Sequence, residues 1–325
     1  MSRFVLIGIG AGLASAFLLV STAAGGMASR IVVYLLAPLP LILAGLGAGA
    51  ITALIGSVVS VAVLFALVGG KIATLHIVAH VIPTVLLCYF AGLNREVPPV
   101  PGAERSTLEW YPVGRIVAIT SGFAAVYGFL STTLLGVDAE QQRELLRRLM
   151  ETFAKSLPRQ DGKQLTEAEL NQLIEFGLIT MPAAAAFGWM ISMLLNLYLG
   201  ARITAMAGNL PRPLPDIPSM TYPVGFALGL AVALPLAFAG GTIGLAGSAL
   251  AGALFCAHLL MGLAIIHDLS RGAAARPAIL GGLYVALVVL NSWVALALVI
   301  FAAMAPVLPL RRGRPPPPAG PVAPD

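Results

Sequence analysis

The chain has 325 residues, of which 58% are hydrophobic and only 10% charged, and its mean hydropathy is +0.93. Soluble domains carry roughly 25% charged residues, so a folded water-soluble monomer is excluded. The pI of about 9.5 comes from arginines between apolar runs, without the basic and aromatic interleaving of a nucleic-acid binder.

None of the 14 Asp and Glu residues falls inside a long apolar run, and the 19 Lys and Arg residues lie between runs or at their ends. A hydrocarbon core imposes that segregation, because a charge at its centre costs several kcal/mol. A helix needs roughly 20 apolar residues to cross about 30 Å of hydrocarbon. The chain therefore reads as an all-α, polytopic transmembrane helical bundle. Spans are expected near 4–24, 31–47, 48–69, 72–93, 113–136, 178–207, 222–239 and 243–267. They form a single transmembrane domain over 1–310, with the lipid bilayer as its first partner.

Arg3 before an apolar stretch, with Ser21-Thr22-Ala23 behind it, imitates a secretory signal. The spans that follow favour an uncleaved first helix. The run 31–70 must fold back, and Gly45, Gly47 and Gly49 mark the expected turn. With the N-terminus inside, short inner segments hold Arg3, Arg95, Arg105, Arg115, Arg202, Arg212, Arg271 and Arg276. Short outer ones hold only Arg30 and Lys71, so the positive-inside rule gives a cytoplasmic N-terminus.

The segment 137–177 is expected to form an amphipathic helical hairpin between spans five and six, lying on the bilayer or capping the bundle. Asp138 with Gln141 reads as a capping box. Leu145, Leu146, Leu149, Met150, Phe153 and Leu157 make one apolar face. Glu144 with Arg148 and Glu151 with Lys155 are i,i+4 pairs on the other. The stretch 158–162 breaks the helix. Thr166 with Glu169 opens a second one, with Leu165 and Leu170 as its staple and Leu173 and Ile174 continuing its apolar face.

The last run, 277–310, is about 50 Å long as a helix. That is too long for one untilted span and short for two. Asn291-Ser292 marks a hairpin tip, a re-entrant turn or a kink. The basic, Pro-rich tail 311–325 reads as disordered or polyproline-like. Cys88 and Cys256 both lie in apolar runs; two isolated cysteines make neither a disulfide framework nor a zinc site, and read as small core residues.

Three small-residue stripes suit close helix packing in lipid: Gly8, Gly12 and Ala16; Thr52, Gly56 and Ser60; Gly244, Ser248 and Gly252. Intramolecular packing is their plain use, and a partner subunit docked on the first stripe is the alternative. The intramembrane polar residues make the candidate site. His76 and His80 share a face of the fourth span with Thr84, Ser192 and Asn196 share a face of the sixth, and His258 lies in the eighth. Neutral imidazoles satisfied by backbone carbonyls are the plain reading. His80 and His258 differ in depth by roughly 10 Å, which argues against a shared metal.

No catalytic, cofactor-binding or metal-ligating residue is expected. His76 and His80 have the spacing of a zincin helix, but Ile77 stands where the glutamate base belongs. Gly70-Lys71 lacks the first glycine and the Ser/Thr of a P-loop, at Phe65 and Ile72. No GxSxG elbow is present. Spans without carboxylates exclude an intramembrane aspartyl protease and disfavour a carboxylate proton relay. An enzyme is not expected.

Glu109-Trp110-Tyr111-Pro112-Val113-Gly114-Arg115 is one telling motif, and Leu194-Leu195-Asn196-Leu197-Tyr198-Leu199-Gly200-Ala201-Arg202 is another. Gly208-Asn209-Leu210-Pro211-Arg212-Pro213-Leu214-Pro215-Asp216 follows the second. With the Ala37-Pro38-Leu39-Pro40 turn, these segments resemble the YybS-like family of bacterial membrane proteins, domain of unknown function 2232, in its proteobacterial branch. The resemblance implies a cytoplasmic (inner) membrane location and brings no established activity. More remotely, the chain is similar to the substrate-capture components of energy-coupling-factor transporters. Those have six helices, whereas this chain has eight or more and the inserted hairpin.

Two functions follow. One is a small-molecule uptake or permease-type component, binding a solute among His76, His80, Ser192, Asn196 and His258 and powered by a separate partner. The other is a non-transporting scaffold in envelope processes, acting through its small-residue stripes and the 137–177 hairpin.

Overall fold

A computed structural model describes residues 2–23, 26–98, 107–133, 139–156 and 166–308. In chain order its helices are α1 (Arg3–Ser21), α2 (Met27–Leu36), α3 (Leu39–Ala48), α4 (Ala50–Leu67), α5 (Gly70–His76) and α6 (Ile82–Gly92), the last two joined by a π-turn over Ile77–Val81. A two-stranded hairpin follows, β1 (Asn94–Val97) and β2 (Thr107–Trp110). Then come α7 (Val113–Thr133), α8 (Ala139–Ser156), α9 (Glu167–Met206), α10 (Phe226–Ala237), α11 (Gly241–Leu269), α12 (Arg276–Leu290) and α13 (Ser292–Met304). Seven helical stretches among these residues are long and apolar enough to cross a membrane. Their rims carry Phe17, Ile51, Val58 and Phe65, each more than 60% exposed. Water would not tolerate so continuous an apolar surface; lipid solvates it. The fold is an all-α polytopic membrane bundle.

Local chemistry explains where the elements begin and end. Pro38 and Pro40 lack N–H groups, so the expected span 31–47 is two helices broken at Ala37-Pro38. Of the three glycines expected at the next turn, only Gly49 makes it, with φ +94°. Gly45 and Gly47 lie inside α3, and a Cβ on Gly45 would overlap Cys88. Pro83 likewise lacks the donor for the carbonyl one turn back. The preceding turn widens, and the Ile82 N–H reaches the Ile77 carbonyl.

Two expectations are corrected. The second arm of the 137–177 hairpin is not a separate helix: it runs unbroken into span six as the 40-residue α9, with Pro182 inside it. The expected span 222–239 yields α10, whose 12 residues reach only about 18 Å. In the run 277–310 the break falls where Asn291-Ser292 marked it: two short helices meet at Asn291, whose φ of 37° is the one positive value among described non-glycine residues. Neither arm alone covers 30 Å. The β-hairpin, with Arg95 paired to Glu109 at 2.6 Å across the strands, carried no recognisable signal. The Asp138 cap, Leu157, Leu165, the 158–162 break and the tail 311–325 lie outside the described residues, as do the side chains of Leu145, Leu149, Phe153 and Lys155.

The chain divides into two compact units. The first comprises Met1–Thr120, Ile191–Val224 and Ala257–Asp325. In it α1 lies along α4, and α3 packs on α4 and α6. The second comprises Ser121–Met190 and Gly225–Cys256. There, Leu146 of α8 packs on Leu170 and Ile174 of α9, with Met150 and Leu178 beside them. Arg143–Glu175 (2.5 Å) and Arg147–Glu167 (3.3 Å) flank that seam, and Glu144 pairs with Arg148 at 2.8 Å. Thr166 and Glu169 form a reciprocal capping box: the Thr166 N–H donates to Glu169 Oε2 at 2.8 Å, and the Glu169 N–H to Thr166 Oγ1 at 3.3 Å.

Candidate functional site

The break after α2 decides what several polar residues do. A helix that ends inside a membrane leaves carbonyls with no donor and no water. Three side chains satisfy them. The Ser15 hydroxyl donates to the Ala37 carbonyl at 2.8 Å. Ser192 Oγ and Asn196 Nδ2 both donate to the Leu35 carbonyl, at 3.1 and 2.6 Å. Ser192 and Asn196 are thus anchored on the backbone of α2. Asn196 Oδ1 is buried and without a protein partner.

His76 and His80 are 3% and 4% exposed, and their Nδ1 atoms stand 3.3 Å apart. Ser60 Oγ lies 2.9 Å from His76 Nε2 and donates its proton to the Ser57 carbonyl at 2.9 Å. One hydroxyl proton cannot serve twice, so Ser60 accepts from His76 Nε2–H. With both rings neutral, His76 Nδ1 then accepts from His80 Nδ1–H, which fixes a one-directional chain. Tyr34 meets the His80 ring edge-on at 5.2 Å. Thr84 is fully buried one turn on, its hydroxyl without a protein partner. Tyr34 and Leu35 are neighbours, so the end of α2 touches both the histidine pair and the Ser192–Asn196 pair. His258 lies edge-on to Tyr222 at 6.2 Å, whose hydroxyl donates to the Ala257 carbonyl at 2.6 Å. Among the described residues no three His, Cys, Asp or Glu side chains gather as a metal site.

The small-residue stripes meet neighbours within the chain. A Cβ on Gly8 would stand 2.9 Å from the Thr52 carbonyl oxygen, and one on Gly12 would overlap that of Gly56. The first two stripes are therefore the two sides of one helix crossing, with Ala16 buried beyond it against Leu64 and Ala73. In the second unit, Ser248 donates to the Ile179 carbonyl at 2.5 Å, and Gly252 lies against the backbone of Ala183. Gly244 lies more loosely, with a Cβ position 3.4 Å from the Ala237 oxygen.

A void in the first unit lies elsewhere. A cavity of about 320 Å³ lies where α3 ends, α4 begins and α6 ends. Gly49, Ala50, Cys88 and Leu93 give it apolar walls, and Trp110 and Arg212 also line it. Pro211 and Pro213 fix the backbone on either side of Arg212. The Arg212 Nη1 and Nη2 groups donate to the carbonyls of Ala91 (3.2 Å) and Tyr111 (3.4 Å). Its guanidinium lies 5.7 Å from the centre of the Trp110 ring. Nε is buried with no protein partner, and burial pulls the Arg212 pKa below the usual arginine value. Asp216, four residues on, pairs instead with Arg271 at 2.5 Å. The hydrogen bond to Asp216 raises Arg271 above the ordinary arginine range, and Asp268 approaches it as well at 3.3 Å.

The family model for predicted membrane proteins designated DUF2232 matches residues 13–245, well over half of the chain. The chain belongs to the DUF2232 family. No curated protein and no solved structure gives a significant match. The matched DUF2232 region takes in the α2 break, the histidine pair and the whole cavity wall. Sequence reasoning missed Trp110 and Arg212 as site residues, although both sit in the motif segments that carry the resemblance. Nothing in composition marks an interfacial arginine as half-buried; only the folding of 208–216 onto the ends of α3 and α6 does.

Proposed function

We propose that this protein is a non-enzymatic, solute-binding component of an uptake system in a bacterial inner membrane, energised by a separate partner. The observation that carries this reading is the cavity of about 320 Å³ lined by Gly49, Ala50, Cys88, Leu93, Trp110 and Arg212. Its mixture of apolar walls and a few convergent polar groups is the usual form of a small-molecule site. A separate energiser follows from the absence of a P-loop and of carboxylates in the apolar runs. With the N-terminus cytoplasmic, the cavity lies at the cytoplasmic ends of α3, α4 and α6.

The solute site moves accordingly from the intramembrane histidines to this cavity. Ser192, Asn196, His76 and His80 are engaged with the protein's own backbone and hydroxyls. The scaffold alternative has less support, because its first docking stripe, Gly8 and Gly12, is covered by α4. The test is thermal stabilisation of the purified protein by a panel of vitamins, nucleobases and organic acids. Hits are expected to lose their effect in Ala50→Phe, which fills the cavity. A panel with no hit, or hits indifferent to Ala50→Phe, would refute the reading.

A further inference from the structure

Resting on the cavity as the binding site, we infer that its ligand is an amphiphilic anion: one carboxylate or phosphate read by Arg212, on an apolar body held by the cavity wall. Three observations converge on Arg212. First, its half-buried charge has no carboxylate partner among the ion pairs of the described residues. Two backbone carbonyls hold it in place, but neutral acceptors do not cancel a charge half withdrawn from water.

Second, the guanidinium still has donors to give. It carries five N–H groups, and Nη1 and Nη2 each make one protein hydrogen bond. Nε is sealed from solvent and therefore from a ligand oxygen of water's size, which leaves the second N–H of each Nη to give. The Nη pair of a planar guanidinium offers donors in the geometry that carboxylate and phosphate oxygens accept.

Third, the group is preorganised. The indole of Trp110 lies against it at 5.7 Å, and Pro211 and Pro213 fix the backbone around it. The rest of the wall favours an apolar body. Leu46, Ala50, Cys88 and Leu93 offer it no charge, and Tyr89 and Asn94 are the only other polar side chains that line it, so the remainder of the ligand is mainly apolar.

Trp110 supplies the reporter. The chain has three tryptophans, so Trp189→Phe with Trp293→Phe leaves Trp110 as the single tryptophan of the full-length protein, read by excitation above the tyrosine band. In phosphatidylcholine nanodiscs, octanoate is expected to shift Trp110 emission saturably, while octanol and octylamine at equal concentration do not. Arg212→Gln should weaken the octanoate response at least tenfold, and Arg212→Lys less. Should Arg212→Gln lose its helical signal, Ala50→Phe, which leaves the guanidinium intact, should abolish the response instead. A parallel series in which phosphatidylglycerol replaces part of the phosphatidylcholine separates a lipid headgroup from a soluble anion. A response to that lipid alone supports the anion and overturns solute uptake. Equal responses to octanol and octanoate, unchanged by Arg212→Gln, overturn the anion and leave solute binding standing. No response to any probe, lipid included, overturns both.

Discussion

Asn196 and Ser192 donate to a single oxygen, the carbonyl of Leu35, at 2.6 and 3.1 Å. Either alone leaves that oxygen satisfied, so the two are partly redundant. Asn196→Ala or Ser192→Ala should each cost about 1 kcal/mol or less, in line with hydrogen bonds inside membranes. The double variant should cost more than the sum, because only then is a buried carbonyl orphaned, at about 1–3 kcal/mol. A double-mutant cycle on thermal or denaturant unfolding in detergent measures the coupling; strict additivity would contradict the shared-acceptor geometry.

Gly12 and Gly10 form a matched pair for testing the α1–α4 crossing. A side chain at Gly12 would overlap the Gly56 carbonyl, whereas nothing lies within 4 Å of one at Gly10. Gly12→Leu should therefore destabilise by about 1–3 kcal/mol or more through overpacking. Gly10→Leu should be near neutral or slightly stabilising, since it removes a glycine from a helix interior. Equal melting temperatures for the two variants would count against this packing.

Of the chain's four histidines, three are almost wholly buried: His76, His80 and His258, at 3%, 4% and 1% exposure. His267 is only partly covered, held by Tyr284 at 2.9 Å. Diethyl pyrocarbonate should modify one histidine, His267, in the native protein and all four after denaturation. Peptide mass spectrometry reads the positions, and rapid labelling of His76 or His80 would place water beside the pair.

Leu146 is 7% exposed and joins α8 to Leu170 and Ile174 of α9. Truncating it to alanine should weaken that seam by about 2–3 kcal/mol. The expected readout is faster hydrogen exchange and protease cleavage confined to Ala139–Ser156, with the spans unchanged. If α8 were held by its ion pairs alone, Leu146→Ala would be silent and 0.5 M salt would release the helix instead.

Much of the architecture is a property of the sequence. The exclusion of carboxylates from the apolar runs dictates helices in lipid, because each span must satisfy its own backbone and no charge can sit at its centre. The α8 seam was legible for the same kind of reason: Leu146, Met150 and Ile174 recur at helical spacing, and the Thr166–Glu169 cap is local chemistry. Boundaries were less legible. The sequence does not say that α9 passes Pro182 unbroken, since a proline can kink a helix or be absorbed by its neighbours. Nor does it say that only Gly49, among three nearby glycines, takes a positive φ.

The sequence by itself determined the solvent. Hydropathy and charge segregation are summed over whole segments, and no detail of packing reverses them. The tertiary structure alone decided what the polar residues inside that solvent do. Ser192 and Asn196 face the Leu35 carbonyl more than 150 positions away in the chain, and Arg212 meets Ala91 more than 120 positions away. A hydrogen-bond donor is structural or available to a ligand according to whether an acceptor stands within about 3 Å of it. That distance is fixed by helices meeting across the fold, not by neighbours in the sequence.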